Sequence, residues 1–240
     1  FRRRRIVRRR GRFGLMVTPL TKADHAKVSA AIAEAEASTN GEIVAVAAKL
    51  SDSYHDVALH WAILVLVGTI ALFAAYPPIL EFWFEAFFGG WRPEPGLREL
   101  LTLLLVVAVA KFTFALLILK YMPLRLALTP STTRSRRVRR RAIGLFKAAA
   151  EHRTEERVGI LIYLSMGEHR AEIIADRAIT KVTTPECWGE AMAALLAQVR
   201  DGRPADGICD AVAEIGIVLK EHFPKTGGNP NEIPDKLIEL

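Results

Sequence analysis

Two long apolar runs constrain this chain more than any other feature. Trp61 to Leu80 is about twenty residues without a charge, and Leu100 to Leu119 repeats the pattern with Lys111 as its sole interruption. Each run matches the roughly 20 residues that a helix needs to cross a bilayer core of ~30 Å. About twenty residues separate them, so a helical hairpin is the expected arrangement, because backbone exposed to lipid must satisfy its own hydrogen bonds. The competing reading makes both runs core helices of a large soluble domain. It requires burial on every side and fits their length less well. Trp61, Trp83, Trp91 and Tyr121 stand where an aromatic belt would mark the two interfaces.

Orientation follows from the basic residues. Lys120, Arg125, Arg134, Arg136, Arg137, Arg139, Arg140 and Arg141 follow the second run with no acidic residue among them, whereas the connection from Glu81 to Glu99 holds Arg92 and Arg98 against four glutamates. The asymmetry predicts a multi-pass protein of a cell membrane with both termini in the cytoplasm and the connection outside.

The net charge of +7 does not describe the folded part of the chain, because Glu151 to Leu240 carries ten basic against sixteen acidic residues. The basicity lies in an N-terminal tail, residues 1–15, and in the segment after the second run. Neither has the motif or aromatic interleaving of a nucleic-acid module, so nucleic acid is not an expected partner. Anionic lipid headgroups are the expected partner of Arg136, Arg137, Arg139 and Arg140. Cys187 and Cys209 lack metal-ligand spacing and are read as buried small apolar residues.

Around the hairpin, taken as 57–122, the periodicity predicts an α/β domain in two parts, 16–56 and 123–224, followed by a tail at 225–240. A helix is expected over 21–38 with Thr21 and Asp24 as its cap, then a buried strand over 42–50, a helix over 133–152, a second buried strand over 158–164 and a third over 170–175. Helix, strand, helix, strand makes the first two strands parallel, with the hairpin inserted into their crossover. Thr184-Pro185 is expected to start a helix running to Arg200, and a last helix spans 205–222.

Gly159-Ile-Leu-Ile-Tyr-Leu-Ser165 with Arg170-Ala-Glu-Ile-Ile-Ala-Asp-Arg-Ala-Ile179, then Trp188, Arg200-Asp-Gly202, Asp206-Gly-Ile208, His222-Phe-Pro224 and Asn231-Glu-Ile-Pro-Asp235, resemble the landmarks of the TPM domain family, in particular its short bacterial membrane proteins. The resemblance implies a three-layer α/β/α sandwich. It also implies one of two roles: acid phosphatase, as plant thylakoid members are described, or accessory and assembly factor of a membrane complex.

No P-loop, dinucleotide fingerprint, nucleophile elbow or zinc-protease helix is present. Topology places Asp52, Ser165, Glu168 and His169 at the membrane-facing edge of the sheet, and Asp176, Arg177, Trp188 and His222 at the opposite, solvent-facing edge. The candidate catalytic pair is therefore Asp176 and His222, with Arg177 and Trp188 as binding residues. Each has a structural alternative: a helix N-cap or an ion-pair partner for Arg177 in the case of Asp176, a dipole contact for His222, and core packing for Trp188. A divalent metal is the cofactor a carboxylate phosphatase would call for, but it needs three or four convergent carboxylates and Asp176 is the one that topology places. An accessory role, with another membrane protein as partner, is the preferred reading for that reason. Lys111 lies near the bilayer centre. It is expected either to bond to backbone or Thr69 while snorkelling, or to pair with a second subunit or partner helix.

Overall fold

The computed structural model describes residues 20–89, 95–149, 158–226 and 235–240. The basic tail at 1–15, Trp91, Arg92 and the landmarks at 231–234 lie outside them. Tyr54–Pro130 form one compact unit, and the segments on either side, Gly14–Ser53 and Ser131–Leu240, together form the other.

The second unit is the α/β sandwich. Helix α1 (Lys22–Glu36) starts with a reciprocal cap in which the Thr21 hydroxyl accepts from the Asp24 amide and the Asp24 carboxylate accepts from the Thr21 amide. Strand β1 (Glu42–Ala48) and strand β2 (Gly159–Ser165) are buried throughout and pair in parallel, Glu42 opposite Gly159 and Ala48 opposite Ser165. Their near-continuous apolar sequences are what a strand covered on both faces requires. Strand β3 (Arg170–Ala175) returns antiparallel beside β2. The expected parallel pair and its antiparallel neighbour are therefore observed.

Helix α6 (Ser131–Ala149) covers one face of the sheet with Val138, Ala142 and Phe146, set against Val44, Val46, Leu161 and Tyr163. Helices α1, α8 (Gly189–Arg200) and α9 (Pro204–His222) cover the other. There Val28, Ile32, Leu195, Ile208 and Ile215 pack on Ile43, Ile160 and Ile162. The result is the three-layer arrangement. Glycine at 207 lets α8 and α9 approach, since a Cβ there would stand 2.7 Å from the Leu195 carbonyl oxygen.

Three features differ from the sequence-based expectation. The end of the chain, expected as a tail, contributes β4 (Leu237–Glu239), parallel to β1, so the sheet order is β3-β2-β1-β4. A short helix α7 (Arg177–Val182) follows β3 directly. The helix expected from Thr184 begins as a 3-10 turn, Pro185–Trp188, that Thr184 does not cap with its side chain.

The first unit consists of helices α2 (His55–Ala75), α3 (Pro77–Phe88), α4 (Leu97–Ile118) and α5 (Met122–Ala127). Helices α2 and α4 pack on each other, with the small residues Ala58, Ala62, Thr69 and Ala108 buried. Small residues let helix backbones come close where no water drives association. Both helices are long and apolar enough to cross a membrane, and their most apolar stretches are only 22% and 6% buried. Helix α3 takes up the end of the first apolar run and the beginning of the connection that follows it. Proline cannot continue α2 but is favoured in a first helical turn, so Pro77 and Pro78 end one helix and start the next.

Candidate functional site

The two edges of the sheet hold different chemistry. At the carboxyl ends of β1 and β2, where open α/β sheets usually bind ligands, the turn Met166–His169 folds Glu168 back under the sheet. Glu168 is 2% exposed. Its carboxylate accepts from the Ser51 amide at 2.9 and 3.2 Å and from the Ser165 hydroxyl. The turn needs glycine at 167, because a Cβ would lie 2.6 Å from both the Lys49 carbonyl oxygen and the Leu50 side chain. His169 adopts a left-handed φ of 51° to complete it, with its side chain exposed. Ser51 Oγ lies 3.0 Å from the Tyr163 hydroxyl, whose pKa is raised by burial first and by the nearby Glu168 charge as well. Beside this group Arg137 donates to Asp52 at 2.7 Å. The sequence placed Asp52, Ser165, Glu168 and His169 at this edge; it gave no sign that Glu168 ties β1 to β2.

The opposite edge carries Asp176. It is 6% exposed, and its Oδ1 accepts from the Arg177 amide at 2.6 Å as the N-cap of α7. Its Oδ2 is buried without a hydrogen-bond partner. Its amide donates to the Gly159 carbonyl, which continues the β2–β3 ladder and puts Asp176 in line with Gly159 and Glu42. Helix α9 ends at this edge too: His222 is exposed in its last turn, and the next carbonyl, that of Phe223, accepts from the Asn40 amide and the Thr39 hydroxyl. Trp188 ends the 3-10 turn and packs against the large apolar core. Arg177 is exposed. The end of β3 and the end of α9 thus lie at the same edge of the sheet, while the bonds of Asp176 go to its own helix start.

A second carboxyl is buried nearby. Glu36 accepts from the Ile43 amide at 2.6 Å, and its pKa is pushed from 4.5 to about 9, chiefly by burial, with the Glu42 and Asp235 charges and a side-chain bond to Asp235 adding to the rise. Among the described residues no three His, Cys, Asp or Glu side chains are grouped so as to hold a metal ion. A lone N-capping Asp176 does not make a divalent-metal site, and no step through a metal follows from these residues.

On α6, Arg136, Arg139 and Arg140 point outward from the sandwich, and Arg137 is half-buried on Asp52. In the helical unit, Arg125 is a brace as well as a basic residue: it is 4% exposed and donates through Nε to the Leu119 carbonyl at 2.8 Å, with His55 Nδ1 3.4 Å from its Nη1. Lys111 reaches Phe73, its Nζ 5.9 Å from the ring centroid, while Thr69 donates to the Val65 carbonyl. A cation over an aromatic face is a third solution beside the two expected for Lys111. Trp61 is partly exposed on α2. Cys187 is exposed, because the 3-10 turn presents it outward, which corrects its reading as buried; Cys209 is partly buried on α9, and burial raises its pKa.

Residues 120–218 match the family model of the TPM domain, and the chain carries that domain. The fold is also that of a solved structure, the BA42 protein from the psychrophilic bacterium Bizionia argentinensis. That protein is 16% identical, with a TM-score of 0.53 over 94% of this chain and 98% of the other. No curated protein matches the chain.

Proposed function

We propose that this is a two-span membrane protein that presents a cytoplasmic TPM domain as an accessory or assembly factor for a membrane complex. The observation that carries this reading is the use made of the acidic residues. Glu168 ties β1 to β2, Asp176 caps α7, Glu36 bridges to the β1 amide of Ile43, and Asp52 holds Arg137. What the sandwich shows to solvent on α6 is arginine. Arg136, Arg139 and Arg140 follow the hairpin, with the short helix α5 between, and each basic side chain near an anionic leaflet supplies about 1 kcal/mol of attraction. Open flanks on α2 and α4 leave apolar surface for lipid and for the helices of another membrane protein.

One observation favours the phosphatase alternative: Asp176 keeps a buried carboxylate oxygen with no partner, and such an oxygen is available for acid-base or metal chemistry. Phosphate release from an aryl phosphate by the detergent-purified full chain, with Mg2+, with Ca2+ and with chelator, separates the two. The accessory reading expects no release above background in any condition. Metal-dependent release that is lost in Asp176→Asn and retained in Asp52→Asn would establish the enzyme instead.

A further inference from the structure

Helix α3 is placed by its neighbours. Helices α2 and α4 have 21 and 22 residues, and at about 1.5 Å per residue each covers the ~30 Å of a bilayer core, so on the membrane reading above their joined ends emerge at one interface. Tyr76 alone separates α2 from α3. With 12 residues, α3 is roughly 18 Å long and too short to cross again. Nor does it stand clear of the hairpin: Phe84 and Phe88 share a groove with Thr102, Leu103 and Val106, and Val106 lies well inside α4. The helix has three faces. Leu80 and Phe84, one turn apart, are each 7% exposed where α3 packs on its neighbours. Glu81 and Glu85, also one turn apart, form a narrow charged stripe, and α3 has no basic residue. The remaining arc carries Ile79, Phe82 and Ala86 at i, i+3 and i+7, all exposed, with Phe82 at 67%.

We infer that α3 is an interfacial helix lying in the plane of the leaflet at the closed end of the hairpin, with Ile79, Phe82 and Ala86 among the acyl chains and Glu81 and Glu85 turned to headgroups and water. The inference rests on the membrane reading above and names the surface that the connection binds. An amphipathic helix lies in this way with its apolar face roughly 5–10 Å into the boundary between headgroups and acyl chains. Acyl chains are the occupant because α3 starts one residue beyond α2 and packs along the first half of α4, so the lipid that surrounds the open flanks of those helices surrounds this arc as well. The glutamates fix how the helix is rolled, since a carboxylate is costly to bring into hydrocarbon. With two carboxylates and no cation, α3 is held by its apolar arc and does not need an anionic lipid.

The test uses the full chain with Cys187→Ser and Cys209→Ala, carrying a fluorophore on one thiol introduced by Phe82→Cys, Ile79→Cys, Glu85→Cys or Val65→Cys, in bilayers of phosphatidylcholine. All four positions are exposed, so none of these substitutions removes a core contact. The quenchers are spin labels set shallow or deep on a lipid acyl chain, and cobalt(II) in the water. Probes replacing Phe82 and Ile79 should lose more fluorescence to the shallow label than to the deep label or to cobalt. The probe replacing Glu85 should lose most to cobalt. The probe replacing Val65, in the middle of α2, should lose most to the deep label. Cobalt quenching as strong at Phe82 and Ile79 as at Glu85, with Val65 still quenched by the deep label, would put α3 in water and overturn this inference alone. Protection of Phe82 and Ile79 from all three quenchers would mean that protein covers the arc, and would overturn it too. A Val65 probe that escapes the deep label contradicts the membrane reading beneath it.

Discussion

Two buried carboxyls behave in opposite ways because their surroundings differ. Glu168 lies among donors, and removing it leaves the Ser51 amide and the Ser165 hydroxyl without their acceptor in a buried turn. Each stranded donor costs about 1–3 kcal/mol, so Glu168→Ala should destabilise the protein by roughly 3 kcal/mol, read as a lowered unfolding temperature of the full chain in detergent. Glu36 is held protonated by burial. Its folded pKa of about 9 stands above the ordinary 4.5, so the unfolded state releases its proton first as pH rises. Stability therefore falls across pH 4.5 to 9, and Glu36 imposes no penalty below that window. Glu36→Gln keeps an acceptor for the Ile43 amide and a donor toward Asp235. It should leave stability unchanged near pH 4 and raise it on the order of 3 kcal/mol at pH 7. Equal gains at both pH values would show that the carboxyl does not titrate in this window. Neither role was legible in the sequence. Glu168 is one glutamate among many until the turn at Gly167 and His169 aims it, and the burial of Glu36 comes from β1 and the end of the chain packing beside it. The capping role of Asp176 was legible, because an aspartate between an apolar strand and Arg-Ala-Ile-Thr is placed as an N-cap is.

Elements with a strong periodic signal were readable and those made by tertiary contact were not. Parallel strands β1 and β2 and the long helices α6 and α9 have apolar patterns that few other structures satisfy. Strand β4 has three residues, and its pairing exists because β1 offers an open edge: the Leu240 amide donates to the Ala47 carbonyl and the Leu240 carbonyl accepts from Lys49. Helix α7 has six residues, too few to form without a cap and a packed face, here Ile179 in the core. Helix α6 joins both kinds of information. Its apolar residues Val138, Ala142 and Phe146 face the sheet, and Arg136, Arg139 and Arg140 are exposed. If these bind anionic headgroups, amide exchange along α6 in the full chain should be slower in bilayers containing phosphatidylglycerol than in phosphatidylcholine alone. The difference should vanish when Arg136, Arg139 and Arg140 become Gln, and should shrink in high salt, which screens charges beyond ~8–10 Å at ordinary ionic strength. Exchange that ignores lipid charge would leave the cluster as a topology signal only.

At the scale of the whole molecule, the chain interrupts an α/β crossover with a helical unit, so two compact units share one sequence. The crossover from β1 to β2 holds both the hairpin and α6, and β1 and β2 still pair in parallel. The carboxyl edge of the two strands is braced by the buried bonds of Glu168. The central claim is that the hairpin spans the membrane and holds the TPM domain on the cytoplasmic side. Thiol labelling in intact cells tests it most directly, because Cys187 is exposed on the sandwich and a Cβ at Gly96, in the α3–α4 connection, meets nothing within 4 Å. An impermeant maleimide should label a Gly96→Cys variant from outside and should reach Cys187 only after the cells are permeabilised. Labelling of Cys187 in intact cells, with the thiol introduced by Gly96→Cys protected until permeabilisation, would contradict the account.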